Sequence, residues 1–158
     1  MDTLKPVTSA GSGLVGVILP DVTTSARYTS YDLPYLKQAF EAAGYPATDF
    51  KIDNASGTAT TELALAQADL TAGAKVLLVD PLDSTTGNQI QAAAAAAGVP
   101  MISYDRATFQ GTNTDYVSFD NQQVGKLIGQ GLMQCVTDWC VTNTQAGRSS
   151  SPGACPTG

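Results

Sequence analysis

Tyr104, Asp105 and Arg106 stand side by side in VPMISYDRATF (99–109), directly after a run in which four of five residues are apolar. An acid and a base at the end of a core-like strand call for a reason. The chain holds three arginines (Arg27, Arg106 and Arg148) and a net charge of −6, so a generally basic surface does not supply one. Arginine offers a planar fork of donors, and aspartate offers acceptors only. Together they match vicinal hydroxyls, each of which donates and accepts. Other segments end in similar chemistry. PDVTTSARY (20–28) carries Asp21, Thr23, Thr24, Arg27 and Tyr28; DPLDS (80–84) carries Asp80, Asp83 and Ser84; SFDN (118–121) carries Ser118, Asp120 and Asn121.

Ordinary roles compete for these residues. Asp83 or Ser84, and Asp120 or Asn121, fit helix N-caps, and capping is the preferred reading for all four. Asp80 before Pro81 shapes a loop or meets a ligand. Asp105 with Arg106, read alone, is a solvated pair worth under about 1 kcal/mol. The convergence of Arg27, Asp105 and Arg106 from separated segments favours a binding rim. Tyr28 or Tyr104 then lies against a ring face. So many carboxylates would repel a phosphate, which leaves a neutral polyol.

The elements that must position these groups alternate along the chain. Apolar or strand-like runs at 13–19, 49–53, 74–80 and 99–104 are separated by helical patterns at 31–43, 60–73 and 84–98, and a fifth run at 115–119 precedes a fourth helical pattern at 121–136. In the first helix Leu33, Leu36, Phe40 and Ala43 share a face; in the second Leu63, Ala66 or Gln67, and Leu70 do. Gly44, Gly73 and Gly98 stand where helices stop. This order predicts an α/β fold: a doubly wound, mainly parallel sheet of about five strands, in flavodoxin-like order, with helices on both faces. Ligands of such sheets bind at the carboxyl ends of the strands, where the four polar endings fall. Residues 1–13 read as a flexible lead-in, 14–142 as the folded lobe, and the Ser, Gly and Pro-rich 143–158 as an irregular tail.

Composition narrows the function classes. Five lysines and three arginines, scattered in an acidic chain, exclude nucleic acid and anionic membrane surfaces as partners. No apolar run approaches the roughly 20 residues of a membrane span, and no signal peptide is visible in MDTLKPVTSAGSG. Histidine is absent, which removes the commonest general base and a common metal ligand. No cofactor and no metal site are expected. Cys135 and Cys140 can close a small loop in an oxidising compartment, leaving Cys155 unpaired; the thiols read as structural or incidental. GSGLVG (11–16) matches G-x-G-x-x-G, but its glycines enter a strand instead of following one. A phosphoacceptor domain of the response-regulator kind, or a small enzyme on the same sheet, is the alternative, with Asp80 as acceptor. It lacks the acidic pair after the first strand and the lysine ending the fifth. No nucleophile elbow is present. A repressor ligand domain would need a DNA-binding headpiece, for which residues 1–13 are too short and too polar.

GVILPDVTTSARY, LLVDPLDS, GVPMISYDR and YVSFDNQQVGKLIGQGL, in this order, resemble the amino-terminal lobe of sugar-binding proteins of ABC importers, of the xylose-binding type. The resemblance runs from about Leu14 to Val136, with YDR followed by SFDN its most specific part. It implies a monosaccharide (pentose or hexose) as ligand, with Arg27, Asp105 and Arg106 in contact with it. It also implies a non-enzymatic role, a periplasmic or cell-surface location and an importer permease as partner. Such proteins have two lobes that close on the sugar. A single lobe of truncated length is expected to bind weakly, and an uncovered sheet edge invites a second copy onto the face where the other lobe would sit.

Overall fold

The computed structural model describes residues 11–107 and 114–145, with the side chains of 114 and 142–145 left aside. These residues fall into two compact units, one ending at Ser118 and one beginning at Phe119.

The first unit is built on five strands: β1 (Val15–Leu19), β2 (Phe50–Asn54), β3 (Val76–Val79), β4 (Met101–Tyr104) and β5 (Thr114–Val117). All neighbouring pairs are parallel, in the order β2-β1-β3-β4-β5. The expected flavodoxin-like winding is therefore present. The chain first steps from β1 to β2, then returns past β1 to β3, β4 and β5. The order switches between β1 and β3, so their carboxyl ends flank the crevice where such sheets take ligands.

Alternation along the strands sorts the two faces. Ile18, Leu77, Val79 and Met101 join Ala66 of α2 (Ala59–Thr71) and Ile90 and Ala94 of α3 (Ser84–Ala96) in the main core cluster. The opposite face meets α1 (Leu33–Ala43), whose Phe40 stacks on Phe50 of β2 at 4.9 Å and meets Tyr45 edge-on at 5.7 Å. Of the predicted α1 stripe, Leu36, Phe40 and Ala43 are half-buried, and Leu33 sits at the exposed margin. The three predicted glycine stops all take left-handed backbone, with φ of 89°, 86° and 69° at Gly44, Gly73 and Gly98. Gly16 of β1 lies inside the strand, so the glycine pattern there is no dinucleotide loop.

α2 packs its predicted face, Leu63, Ala66 and Leu70, on the core cluster, and it buries two acids beside that face. Its buried positions are Glu62, Ala66 and Asp69, and Gln67 is exposed. Asp69 ion-pairs with Lys51 of β2 at 3.1 Å, and Lys51 also meets Asp53. In the second unit α4 (Asn121–Gln145) runs past the predicted end of its pattern, into the stretch read as tail. Asp120 caps it, accepting the Gln123 N–H at 2.9 Å. Cys135 is a free thiol and Cys140 is disulfide-bonded, so the 135–140 loop is not closed. Residues 1–10 of the lead-in and 146–158 of the tail lie outside the described residues. No helix among the described residues is long and apolar enough to cross a membrane.

Gly16 faces α2 at a point where no side chain fits. A Cβ there would come 2.5 Å from Asp69 Oδ2 and 2.9 Å from Leu77 Cδ2. Gly16→Ala is expected to cost about 1–3 kcal/mol of overpacking. Urea unfolding followed by circular dichroism checks this, and a midpoint equal to wild type would refute the crowding.

Candidate functional site

Two local backbone departures set up the rim. After β1 the chain forms a tight loop in which the Asp21 carboxylate accepts the N–H groups of Thr23 and Thr24, both at 2.8 Å, and the Thr24 hydroxyl. A π turn over Tyr28–Asp32 then precedes α1. Its wider i→i+5 spacing brings residues 27 and 32 together, where an α-turn would have paired 27 with 31. Arg27 Nε accordingly meets Asp32 Oδ2 at 2.9 Å.

The second departure follows β4. Asp105 has φ of 63°, left-handed for a residue that is not glycine. Around it the Arg106 N–H donates to the Tyr104 carbonyl at 2.7 Å, a three-residue turn of the strained kind. Asp is among the few side chains that tolerate such backbone. The turn is braced from β5: the Asp105 N–H donates to Val117 O at 2.8 Å and the Tyr116 hydroxyl to Asp105 O at 3.0 Å. This tight reversal lets neighbouring side chains part. Asp105 meets Arg27 Nη1 at 2.9 Å. Arg106 reaches back over β3.

Arg106 is held at several points. Its Nη2 donates to the Tyr28 hydroxyl at 2.9 Å, and its Nη1 to the carbonyls of Pro81 and Leu82 at 3.4 and 3.3 Å. Its Nε stands 3.6 Å from Asp80 Oδ1, an ion pair too long for a normal hydrogen bond. Both guanidinium groups lie near the Tyr28 ring, at 5.5 Å for Arg27 and 5.9 Å for Arg106. Arg27 also lies 5.9 Å from the Tyr104 ring, whose hydroxyl donates to Asp32 at 3.3 Å. The two arginines, 79 positions apart in the chain, thus meet around one tyrosine.

Exposure separates the six candidates into two layers. The side chains of Arg106, Arg27 and Asp105 are 40%, 31% and 18% exposed. Asp21, Asp80 and Tyr28 are buried. Asp21 serves its own loop; Tyr28 and Asp80 lie behind the arginines. Asp80 is fully buried, with Arg106 as the cation beside it. Asp83 caps α3, accepting the Thr86 N–H at 2.8 Å.

Two members escaped the sequence reading. Asp32 is brought in by the π turn, for which the sequence carries no periodic signal. Glu62 is fully buried on α2 and accepts the Leu82 N–H with both oxygens at 3.1 Å. Its one legible signal is an acid four positions before Ala66 on an otherwise apolar stripe. Among the described residues no group of three His, Cys, Asp or Glu gathers to hold a metal ion.

The electrostatics follow burial. Removal from water is the main cause that pushes Asp80 up to about 7, with Arg106 opposing it. Burial likewise pushes Glu62 to about 7, against the Leu82 hydrogen bonds. Arg27 is held above its ordinary range: burial disfavours its charge, and hydrogen bonding to Asp32 and Tyr104 outweighs that. Asp21 is held below its ordinary value, chiefly by the Thr24 hydroxyl, and Asp83 chiefly by the Thr86 N–H.

The comparisons with known proteins agree with this architecture. Residues 15–148 match the family model described as periplasmic binding protein domain. The multiple sugar-binding periplasmic receptor ChvE of Rhizobium radiobacter is 34% identical over 131 residues, covering 82% of this chain and 36% of the receptor. The multiple sugar-binding periplasmic protein SbpA of Azospirillum brasilense is 32% identical over 133 residues, covering 84% and 36%. Among solved structures, a carbohydrate transporter solute binding protein from Chloroflexus aurantiacus, in complex with D-glucose, superposes with a TM-score of 0.69 at 33% identity, covering 78% of this chain and 36% of that one. The chain spans about a third of the length of these relatives.

The raised carboxyls make stability depend on pH with a definite sign. Between their ordinary values, 3.8 for Asp80 and 4.5 for Glu62, and about 7, the native state binds more protons than the unfolded one. Their contribution to unfolding free energy therefore falls as pH rises through that window and is level above it. Asp21 and Asp83 act oppositely, and only below about pH 4. Asp80→Asn is expected to flatten the decline between about pH 4 and 7. Urea titrations across pH measure it, and an undiminished slope in the variant would refute the assignment.

Proposed function

The chain belongs to the periplasmic binding protein domain family, and from that premise we propose that its rim binds a monosaccharide, as the sugar-contacting lobe of a solute receptor. One observation carries the reading: Arg27, Asp105 and Arg106, from separate segments, meet at the carboxyl ends of β1 and β4 and are the exposed members of the cluster. They offer donors and acceptors together, as vicinal hydroxyls require. Each guanidinium already has carboxylate company, Asp32 and Asp105 for Arg27 and Asp80 for Arg106, which favours a neutral ligand over an anion. The glucose complex of the Chloroflexus relative and the sugar-receptor names of the bacterial relatives support the same ligand class.

The role is binding, not catalysis. By analogy with these relatives the protein works in the periplasm or at the cell surface and hands its sugar to an importer permease. The rim is one open face, and closed sugar sites bury most of their ligand. The chain on its own is therefore expected to bind with a Kd of about 1 mM or weaker. Titrating D-glucose, D-xylose, D-galactose and L-arabinose into labelled protein, with amide shifts as the readout, tests this. Saturable shifts confined to residues 104–106 and the segment around Arg27 are expected. Arg106→Lys keeps the charge but loses the fork, and is expected to weaken binding about tenfold. Absence of any saturable shift with all four sugars overturns the proposal.

A further inference from the structure

Helix α2 carries two acids on its buried face, seven residues apart, and they serve different ends of the sheet. Asp69 pairs with Lys51 beside Gly16, near the start of β1. Glu62, two turns earlier, lies beside the turn that joins β3 to α3. Its two oxygens share the Leu82 N–H, each at 3.1 Å. The peptide units of that same turn face the other way with their oxygens: the carbonyls of Pro81 and Leu82 accept Arg106 Nη1 at 3.4 and 3.3 Å. A hydrogen-bonded chain thus runs from the buried face of a helix packed on the sheet, through one short turn, to a guanidinium on the rim.

A fully buried carboxylate is costly, and an apolar side chain of similar volume commonly serves stability as well or better. The stripe around Glu62 is apolar, with Ala66 four residues on. The acid is therefore out of place as a packing residue, and its bonded partner indicates its use. Arg106 needs such support. Its Asp80 partner stands at 3.6 Å without a normal hydrogen bond, which fixes charge but not orientation. Direction comes from the Tyr28 hydroxyl and the two turn carbonyls.

We propose that Glu62 is a positioning residue for Arg106: by holding the Leu82 N–H it fixes the turn whose carbonyls aim the guanidinium, and so sets sugar affinity from beneath the sheet. The link to affinity rests on the sugar-binding reading above; the aiming of Arg106 does not.

Glu62→Gln, Glu62→Leu and Asp69→Asn test the two parts separately. Nitrogen-15 spectra of the arginine guanidinium groups, with Arg106 assigned by its disappearance in Arg106→Lys, report its restricted rotation without any sugar. Titration with D-glucose reports affinity on the same samples. In Glu62→Leu the Arg106 signals are expected to average and glucose affinity to fall about tenfold. Glu62→Gln, which keeps an acceptor oxygen, is expected to restore most of both. Asp69→Asn is expected to lower stability and leave Arg106 signals and affinity as in wild type. Where Glu62→Leu does not fold, Glu62→Gln decides: a shifted Leu82 amide with unmoved Arg106 signals overturns the proposal. So does a fall in affinity with Arg106 unchanged. Arg106 signals that depend on Glu62 in a protein that ignores glucose would uphold the positioning role and overturn the sugar reading alone.

Discussion

Asp80 sits at the end of a central strand with no exposed surface and no hydrogen bond of normal length to either carboxylate oxygen. Such a group either gives up its charge or holds a cation close. Arg106 is that cation, and the demand constrains everything around it. Arg106, just after β4, reaches Asp80 at the end of the neighbouring β3, and its remaining donors meet the Pro81–Leu82 carbonyls and the Tyr28 hydroxyl. Tyr28 is thereby fixed, and Arg27, the residue before it, is brought alongside. The rim is built outward from a buried charge, with a dry layer of Asp80, Glu62, Tyr28 and Asp32 behind a wet layer of Arg27, Asp105 and Arg106.

Ordinary helices and strands would not deliver that arrangement. Adjacent residues on a strand point to opposite faces, so Asp105 and Arg106 would diverge across the sheet. The tight turn at Asp105 ends the strand before that rule applies, and the two side chains take different partners at the carboxyl end of the sheet, Arg27 for Asp105 and Asp80 for Arg106. Left-handed backbone at a residue other than glycine costs about 1–3 kcal/mol, and the bonds from Asp105 N–H to β5 and from Tyr116 to its carbonyl offset that strain. At the other arginine, a π turn exchanges i+4 for i+5 and turns an acid toward Arg27. Both departures lie next to the rim, where local irregularity is repaid by placement.

This division explains what was legible in the sequence. Strand and helix order, winding, the glycine stops and the Asp83 and Asp120 caps follow from local rules that the residues obey, and each is present in the structure. Arg27, Asp105 and Arg106 were visible because charged residues at the ends of apolar strands are conspicuous. Asp32 was hidden because its pairing with Arg27 depends on the π turn, for which the sequence carries no periodic signal. Glu62 and Asp69 were hidden because an acid on a helix is read as solvated by default, whereas both are paired inside. Tyr28, Asp21 and Asp80 lie close to where they were sought, and they are buried, Tyr28 and Asp80 behind the exposed arginines. Chain order reveals proximity to a rim; it does not reveal which members face water.

The pairing of charges also bears on what kind of ligand such a rim tolerates. An anion would have to draw Arg27 from Asp32 and Asp105, or Arg106 from Asp80, leaving carboxylates unpaired. For Asp80 that loss would be severe, since it is buried and Arg106 is the cation that opposes most strongly the rise that burial imposes on it. A neutral polyol imposes no such exchange. Its hydroxyls add donors and acceptors at the exposed edges of groups that remain paired, so binding leaves the buried electrostatics intact. The orientation of the Asp105 carboxylate and the Arg106 fork is set by backbone turns below the surface.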